Sequence, residues 1–160
     1  MLKVFAADES DLDWMFRLFV HAANKGHFVL QNNRESRAKI RRNISSIISQ
    51  HLMSDYNRRA QAMIFENDHG KVGYVVMSEI KAGRGGNEIH LFVVDQEMRG
   101  KGYGRFMLDE VIRRWHPAAD IYARVFPLSK KMAIMLQNAN FSNEGKNREG
   151  ADIFKLPKLV

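Results

Sequence analysis

Residues Phe92–Arg105 read FVVDQEMRGKGYGR, and the interpretation of the whole chain starts from this stretch. An apolar, β-branched run leads into glycines at positions 100, 102 and 104, and an amphipathic helical pattern follows at once. Glycine lacks a Cβ and tolerates positive φ, so the backbone can approach a ligand closely. The order strand, loop, helix turns backbone N–H groups and a helix N-terminus toward one point, which suits an anion. The stretch therefore predicts a site for a phosphate-bearing ligand.

Three phosphate-loop patterns compete for this stretch. A P-loop requires G-x-x-x-x-G-K-[ST], which the chain does not contain. A dinucleotide fingerprint requires G-x-G-x-x-G and a later acidic ribose ligand, whereas this loop reads G-x-G-x-G and the next strand ends in Val125-Phe126-Pro127. The pattern [Q/R]-x-x-G-x-[G/A] is matched by Arg99–Gly104.

The periodicity along the chain predicts alternating helices and strands with an antiparallel run in the middle. The strands are expected at 2–6, 62–65, 71–80, 88–94, 121–126, 141 onward and 151–156, and the helices at 12–23, 34–52, 103–115 and 130–139. Strands 88–94 and 121–126 flank a helix and should be parallel. The pattern predicts an α/β fold with a mixed, mostly antiparallel sheet flanked by helices.

Length and composition set the class of protein. A chain of 160 residues without a linker or repeat is expected to form one domain spanning 1–160. The absence of cysteine excludes disulfides and a cysteine nucleophile and fits a cytoplasmic location. No signal segment and no membrane span is expected. The net charge of +7 favours acidic partners such as CoA or RNA.

The match at Arg99–Gly104, in its strand–loop–helix context, resembles the acyl-CoA-binding motif of the GNAT superfamily of N-acetyltransferases. The preceding Phe92–Met98 is similar to the family's Leu-Tyr-Val-x-Pro-x-Tyr, with Gln96 where proline is frequent. The order of predicted elements follows the family over nearly the whole chain. The resemblance implies a GNAT-type fold and direct acetyl transfer from acetyl-CoA, as cosubstrate, to an amine.

The resemblance also implies which residues bind the cofactor. The backbone of Phe92, Val93 and Val94 would pair with the pantetheine arm as an added strand. The pyrophosphate would be held by the loop and first helical turn, which comprise Arg99, Gly100, Lys101, Gly102, Tyr103, Gly104 and Arg105. Ser129 would reach the pantetheine arm. The histidines show no paired metal spacing with carboxylates, so no metal is expected.

Transfer to an amine needs an acceptor for the amine proton. Glu88 is the first candidate because similar glutamates on this strand serve some family members, and His90, two residues on, can relay a proton. The tyrosine that many members place on the late helix to protonate the CoA thiolate is Leu136 here. The general acid is therefore unassigned, with Tyr122 or solvent as the options.

The acceptor is expected between segments 27–33 and 143–150, whose mixed charge does not identify it. A small molecule, an amino acid or a protein amine all fit, and the chain is expected to be a monomer or homodimer.

Two alternatives to this function stay open. The arginines of the second helix, such as Arg37 and Arg41, suit an RNA-directed acetyltransferase or RNA-binding module. A catalytically weak acyl-CoA sensor would explain Leu136.

Overall fold

Eight strands and four helices build the part of the chain described in the computed structural model, which covers residues 2–28, 33–53, 57–81 and 85–159. The strands are β1 (Lys3–Ala6), β2 (Leu52–Met53), β3 (Arg58–Asn67), β4 (Gly70–Glu79), β5 (Asn87–Val94), β6 (Ile121–Val125), β7 (Ser142–Lys146) and β8 (Asp152–Leu156). The helices are α1 (Leu12–Asn24), α2 (Arg34–Gln50), α3 (Tyr103–Trp115) and α4 (Lys130–Asn138). This is the predicted α/β arrangement of helices around a mixed sheet.

The sheet has the order β1-β3-β4-β5-β6-β8-β7, with the short β2 pairing with β3. Every neighbouring pair is antiparallel except β5 and β6, which are parallel as expected for strands that flank a helix. A tight turn joins β3 to β4, where Asn67 pairs with Gly70.

Two apolar clusters cover opposite faces of the sheet. On one face α1 and α2 pack on β3, β4 and β5, where Phe19, Ile44 and Leu91 are buried. On the other face α3 packs with Leu136 of α4, around Met107, Leu136 and Phe154. The first cluster includes no residue of β6, β7 or β8, so that half of its face carries no helix in the described chain.

Several observed boundaries differ from the predicted ones. Helix α2 ends at Gln50 rather than Leu52, because His51 adopts a left-handed conformation (φ 54°) and the chain turns into β2. The first half of the polar segment 143–150 belongs to strand β7, and a turn occupies 147–150. Asn140, which follows α4, takes a left-handed conformation (φ 70°), which asparagine tolerates.

Candidate acyl-CoA groove

A groove opens where β5 and β6 separate. Their pairing covers Asn87–Ile89 and ends at the pair Ile89–Ala123, although β5 continues to Val94 and β6 to Val125. A cavity of about 730 Å³ lies at this divergence, and residues of both strands, the glycine loop and the start of α4 line it. Backbone N–H and C=O groups on an unpaired strand edge are available to an extended ligand.

A β-bulge at His90 shapes the strand side of the groove. Opposite it, the neighbouring β4 residues Val76 and Met77 pair with Leu91 and Ile89, so His90 is an extra residue on β5. The bulge switches the alternation of the strand, since Ile89 belongs to the α3 side of the sheet and Leu91 to the α1 side. Phe92, Val93 and Val94 all line the groove, and His90 lies at the end of the unpaired edge.

The glycine loop leads into an uncapped helix. Gly100 (φ 76°) and Gly102 (φ 83°) are left-handed, and no atom lies within 4 Å of the position a Cβ would take at either residue. Gly102 is the N-cap of α3, where no side chain accepts a hydrogen bond from the first turn and no acidic residue is present. The first N–H groups of α3 therefore face the groove without a side-chain partner, which favours binding of an anion.

The charged and aromatic side chains of the glycine loop and the first turn of α3 make different contacts. Arg99 lines the groove, and its Nε donates to the carbonyl oxygen of Val94 at 3.3 Å, so this side chain braces the loop. Tyr103 lines the groove and accepts a hydrogen bond at its hydroxyl from Asn67 Nδ2 at 3.0 Å. Arg105 also lines it and pairs with Asp109 at 2.9 Å. Lys101 is exposed and does not line the groove.

Gly104 differs from the other two glycines of the loop because it lies inside α3. A Cβ at Gly104 would make an ordinary contact of 3.5 Å with Met135 Sδ. The position therefore accepts alanine, in agreement with the [G/A] at this place of the motif.

Ser129 joins the start of α4 to the end of α1. Its Oγ lies 2.6 Å from His27 Nδ1, and both residues line the groove. Ser129 is the N-cap residue of α4 but makes no side-chain hydrogen bond to that helix, so its hydroxyl contacts His27 instead. Burial, with added repulsion from Arg99 and Lys25, lowers the pKa of His27, which keeps this imidazole neutral at neutral pH.

Glu88, His90 and Arg124 form a charged cluster beside the groove. Glu88 Oε1 lies 3.0 Å from Arg124 Nη2 and 3.5 Å from His90 Nδ1, and the Glu88 side chain is only 12% exposed. Burial acts to raise the pKa of Glu88, but His90 and the positive charges of Arg124 and Arg58 outweigh it, so the pKa lies below its ordinary value. His90 and Arg124 line the groove, whereas Glu88 lies behind them.

Several residues at the groove escaped the sequence analysis. Lys130 and Lys131, in the first turn of α4, line it and place positive charge at a helix N-terminus, where the helix dipole disfavours cations unless an anion binds there. In the sequence, the adjacent lysines of Ser129-Lys130-Lys131 could have indicated this positive charge at the start of a helix. Phe28, which belongs to the segment expected to border the acceptor, also lines the groove and stacks on Phe19 with ring centroids 4.9 Å apart.

Other predicted residues lie outside the groove. Leu136 is fully buried in the core, and Tyr122 does not line the cavity. Of segment 27–33, His27 and Phe28 line the groove, Asn33 caps α2, and residues 29–32 lie outside the described residues. On α2, Arg41 pairs with Asp13 and lies 5.7 Å from the centroid of the Phe16 ring.

Within the described ranges, no group of three or more histidine, cysteine, aspartate or glutamate residues is placed to hold a metal ion. No helix there is both long enough and apolar enough to cross a membrane.

Comparison with known proteins gives a family and a fold. The acetyltransferase (GNAT) domain family matches residues 58–142, a little over half of the chain, including β5, the glycine loop and α3. Comparison with curated protein sequences found no match.

Solved structures resemble the chain over nearly all of its length. A histone acetyltransferase HPA2-related acetyltransferase from Corynebacterium glutamicum has a TM-score of 0.75 at 17% identity, covering 99% of this chain and 97% of that one. The spermidine N-acetyltransferase from Vibrio cholerae, solved with CoA and spermine, has a TM-score of 0.68 at 17% identity, with 96% and 92% covered. The Escherichia coli ribosomal-protein-S18-alanine N-acetyltransferase has a TM-score of 0.68 at 11% identity, with 100% and 96% covered.

At these identities the structures establish the fold, and the family match over residues 58–142 adds that this chain belongs to the GNAT family of acetyltransferases.

Proposed function

We propose that this protein transfers the acetyl group of acetyl-CoA directly to a primary amine. The observation that carries the proposal is the groove, which combines an unpaired β5 edge, an uncapped α3 N-terminus and lysines at the start of α4. Acetyl-CoA supplies the acetyl group as a thioester, and the transfer forms a carbon–nitrogen bond while CoA leaves as the thiol.

The cofactor-binding roles follow from where the groups lie. The N–H groups of Gly102, Tyr103 and Gly104 bind the pyrophosphate, since they begin a helix and have no side-chain cap. The unpaired edge at Val93 and Val94 pairs with the pantetheine arm. Ser129 and His27 border the arm from the side opposite the strand, and Lys130 and Lys131 add positive charge.

His90 accepts the amine proton, and Glu88 positions it. Nδ1 of His90 is buried without a hydrogen bond and points toward the Glu88 carboxylate at 3.5 Å. A proton on Nδ1 is favoured by this negative charge, which leaves the lone pair of Nε2 as the acceptor. The lowered pKa of Glu88 and its place behind His90 support this division of roles.

Protonation of the departing thiolate needs no dedicated side chain. An ordinary thiol has a pKa near 8.5, so solvent can supply the proton at neutral pH. This is consistent with Leu136, which cannot donate a proton and is buried in the core.

The experiment measures free-thiol release from acetyl-CoA in the presence of a panel of primary amines. We expect thiol release that depends on the amine and yields an acetylated product identified by mass spectrometry. Binding of acetyl-CoA without amine-dependent release would contradict the proposed transfer and favour the alternative of an acyl-CoA sensor. Binding of RNA without binding of acetyl-CoA would favour the RNA-binding alternative.

A further inference from the structure

A cationic surface lies next to the proposed proton acceptor, on the half of the sheet that α1 and α2 leave uncovered. Tyr122 and Arg124 of β6 point to the same face as Glu88, because Glu88 pairs with Tyr122 and side chains two apart on a strand share a face. Lys155 of β8 pairs with Tyr122 and joins them on this face. We call Arg124 and Lys155 the cationic pair.

Arg124 is placed to bind a ligand. Its side chain is 35% exposed and lines the same groove as His90. Among the described residues it makes one hydrogen bond, from Nη2 to Glu88 Oε1, so most of its five N–H donors are available. A guanidinium held by a buried carboxylate is oriented and presents its other donors as a planar fork, which matches a carboxylate.

Lys155 extends the positive surface. It lies diagonally across the β6–β8 ladder from Arg124, at a distance that long side chains can bridge to one ligand. Its Nζ lies 5.6 Å from the centroid of the Tyr122 ring and 3.8 Å from Asp120 Oδ2.

The two carboxylates that contact the cationic pair are not accessible to a cationic acceptor. Glu88 is buried against Arg124, and Asp120 is largely buried, accepts a hydrogen bond from the Lys158 N–H and faces Lys155. Within the described residues, a polyamine close to His90 would therefore meet the positive charge of Arg124, whereas the exposed Glu144 lies farther away on β7, beyond β8. An acceptor that carries its own carboxylate beside the amine would be attracted.

We propose that the acceptor is an amino acid or a closely related amino carboxylate, whose carboxylate binds Arg124 and Lys155 while its amine reaches His90. The proposal rests on the proposed acetyl transfer and names the substrate class of that site.

The test compares acceptors with and without a carboxylate, with each rate referred to the concentration of the neutral amine. Thiol release is measured with the standard amino acids; the best of them is then compared with its amide and with spermidine. A charge-assisted hydrogen bond contributes about 1.5–3 kcal/mol, which corresponds to a factor of roughly 10 to 100. We expect kcat/KM for the amino acid to exceed that for the amide by this factor, and spermidine to be a poor acceptor.

Two variants separate binding of the carboxylate from structural damage. Lys155→Gln should raise KM for the amino acid and leave the rate with the amide unchanged, because it does not disturb the Glu88–Arg124 pair. Arg124→Gln should also raise KM for the amino acid, and it should in addition lower the rate with the amide because it removes the partner of Glu88. Lys3→Gln, on the exposed strand β1 at the opposite edge of the sheet, is the control for loss of one positive charge and should behave as wild type.

Equal or faster acetylation of the amide or of spermidine by the wild type would overturn the proposal while leaving the acetyltransferase activity in place. Equal losses with both acceptors in Lys155→Gln would also overturn it. Absence of thiol release with every amine would instead contradict the proposed function itself.

Discussion

Glu88 retains a negative charge in a largely buried position because positive groups surround it. Burial alone would raise the pKa of its carboxyl, but the His90 ring, Arg124 and Arg58 lower it by more. The sequence could predict Glu88 and His90 as neighbours near the acyl end of the site. It could not predict that Arg124, 36 residues away, would pair with the Glu88 carboxylate, because that contact depends on the β5–β6 register.

The first prediction concerns turnover. His90→Gln should lower kcat by about 100-fold or more, since a positioned proton acceptor contributes roughly 10²–10⁴. Glu88→Gln should lower kcat by about 10- to 100-fold, because loss of an orienting carboxylate has that typical effect. Both variants should bind acetyl-CoA with wild-type affinity in calorimetry, since neither side chain belongs to the pyrophosphate loop.

Glu88→Asp serves as the conservative control and should restore part of the lost turnover. Wild-type kcat in Glu88→Gln over the whole pH range of activity would remove Glu88 from the mechanism. Wild-type kcat in His90→Gln would do the same for His90.

The second prediction concerns acid stability. The pKa of Glu88 in the folded chain lies below its ordinary value of 4.5, so near and below that pH the unfolded chain binds more protons than the folded chain. The stabilisation is complete above the unfolded pKa and is lost as the pH falls through the folded pKa. The free energy of unfolding of Glu88→Gln should therefore decline less steeply than that of wild type as the pH falls below about 5.

Urea denaturation at a series of pH values measures this slope. Glu149→Gln, in the exposed turn after β7, is the matched control and should keep the wild-type slope. An acid slope in Glu88→Gln as steep as that of the wild type would contradict the assigned charge state.

At the scale of elements, β5 shows where a periodic pattern stops being informative. Alternation predicts that Ile89, Leu91 and Val93 share one face, whereas the bulge at His90 places Ile89 on the other. A bulge depends on how a strand pairs with its neighbour, and the sequence of β5 alone does not contain that information. The glycine loop was predictable in full because its left-handed residues and helix start are local properties of the chain.

The third prediction tests the packing of β4 against β5 beside the groove. A Cβ at Gly73 would lie 2.4 Å from the carbonyl oxygen of Val93 and 3.0 Å from Met107 Cε, so the strands must shift to admit it. Gly73→Ala should lower the free energy of unfolding by about 1–3 kcal/mol, the usual effect of overpacking. Chemical denaturation measures the change.

Gly104→Ala is the matched control in α3. Its Cβ would make only an ordinary contact with Met135 Sδ, and alanine is favoured over glycine in a helix by about 0.5–1 kcal/mol. Gly104→Ala should therefore be as stable as wild type or more so. A loss of stability in Gly104→Ala equal to that in Gly73→Ala would contradict this description of the two sites.

At the scale of the whole molecule, the order of elements and the one parallel strand pair were predictable, whereas the contacts that close the groove were not. The His27–Ser129 contact joins residues 102 positions apart. Such a contact depends on how α1 and α4 approach across the sheet, which the chain pattern does not specify. The net charge of +7 did not indicate where an anion would bind, whereas the structure places Lys130, Lys131 and Arg99 on one groove.

The central claim is that the glycine loop binds the pyrophosphate of acetyl-CoA, and calorimetric titration of three proteins tests it most directly. Gly102→Glu places a carboxylate at the start of α3, where it blocks and repels the pyrophosphate. Gly150→Glu introduces the same side chain at a left-handed glycine (φ 82°) that also has open space around it but lies outside the groove. Circular dichroism confirms that all three proteins are folded.

We predict that the wild type and Gly150→Glu bind acetyl-CoA with the same affinity and that Gly102→Glu does not bind it. Absence of binding to the folded wild type, or unchanged binding to Gly102→Glu, would contradict the assignment of the loop.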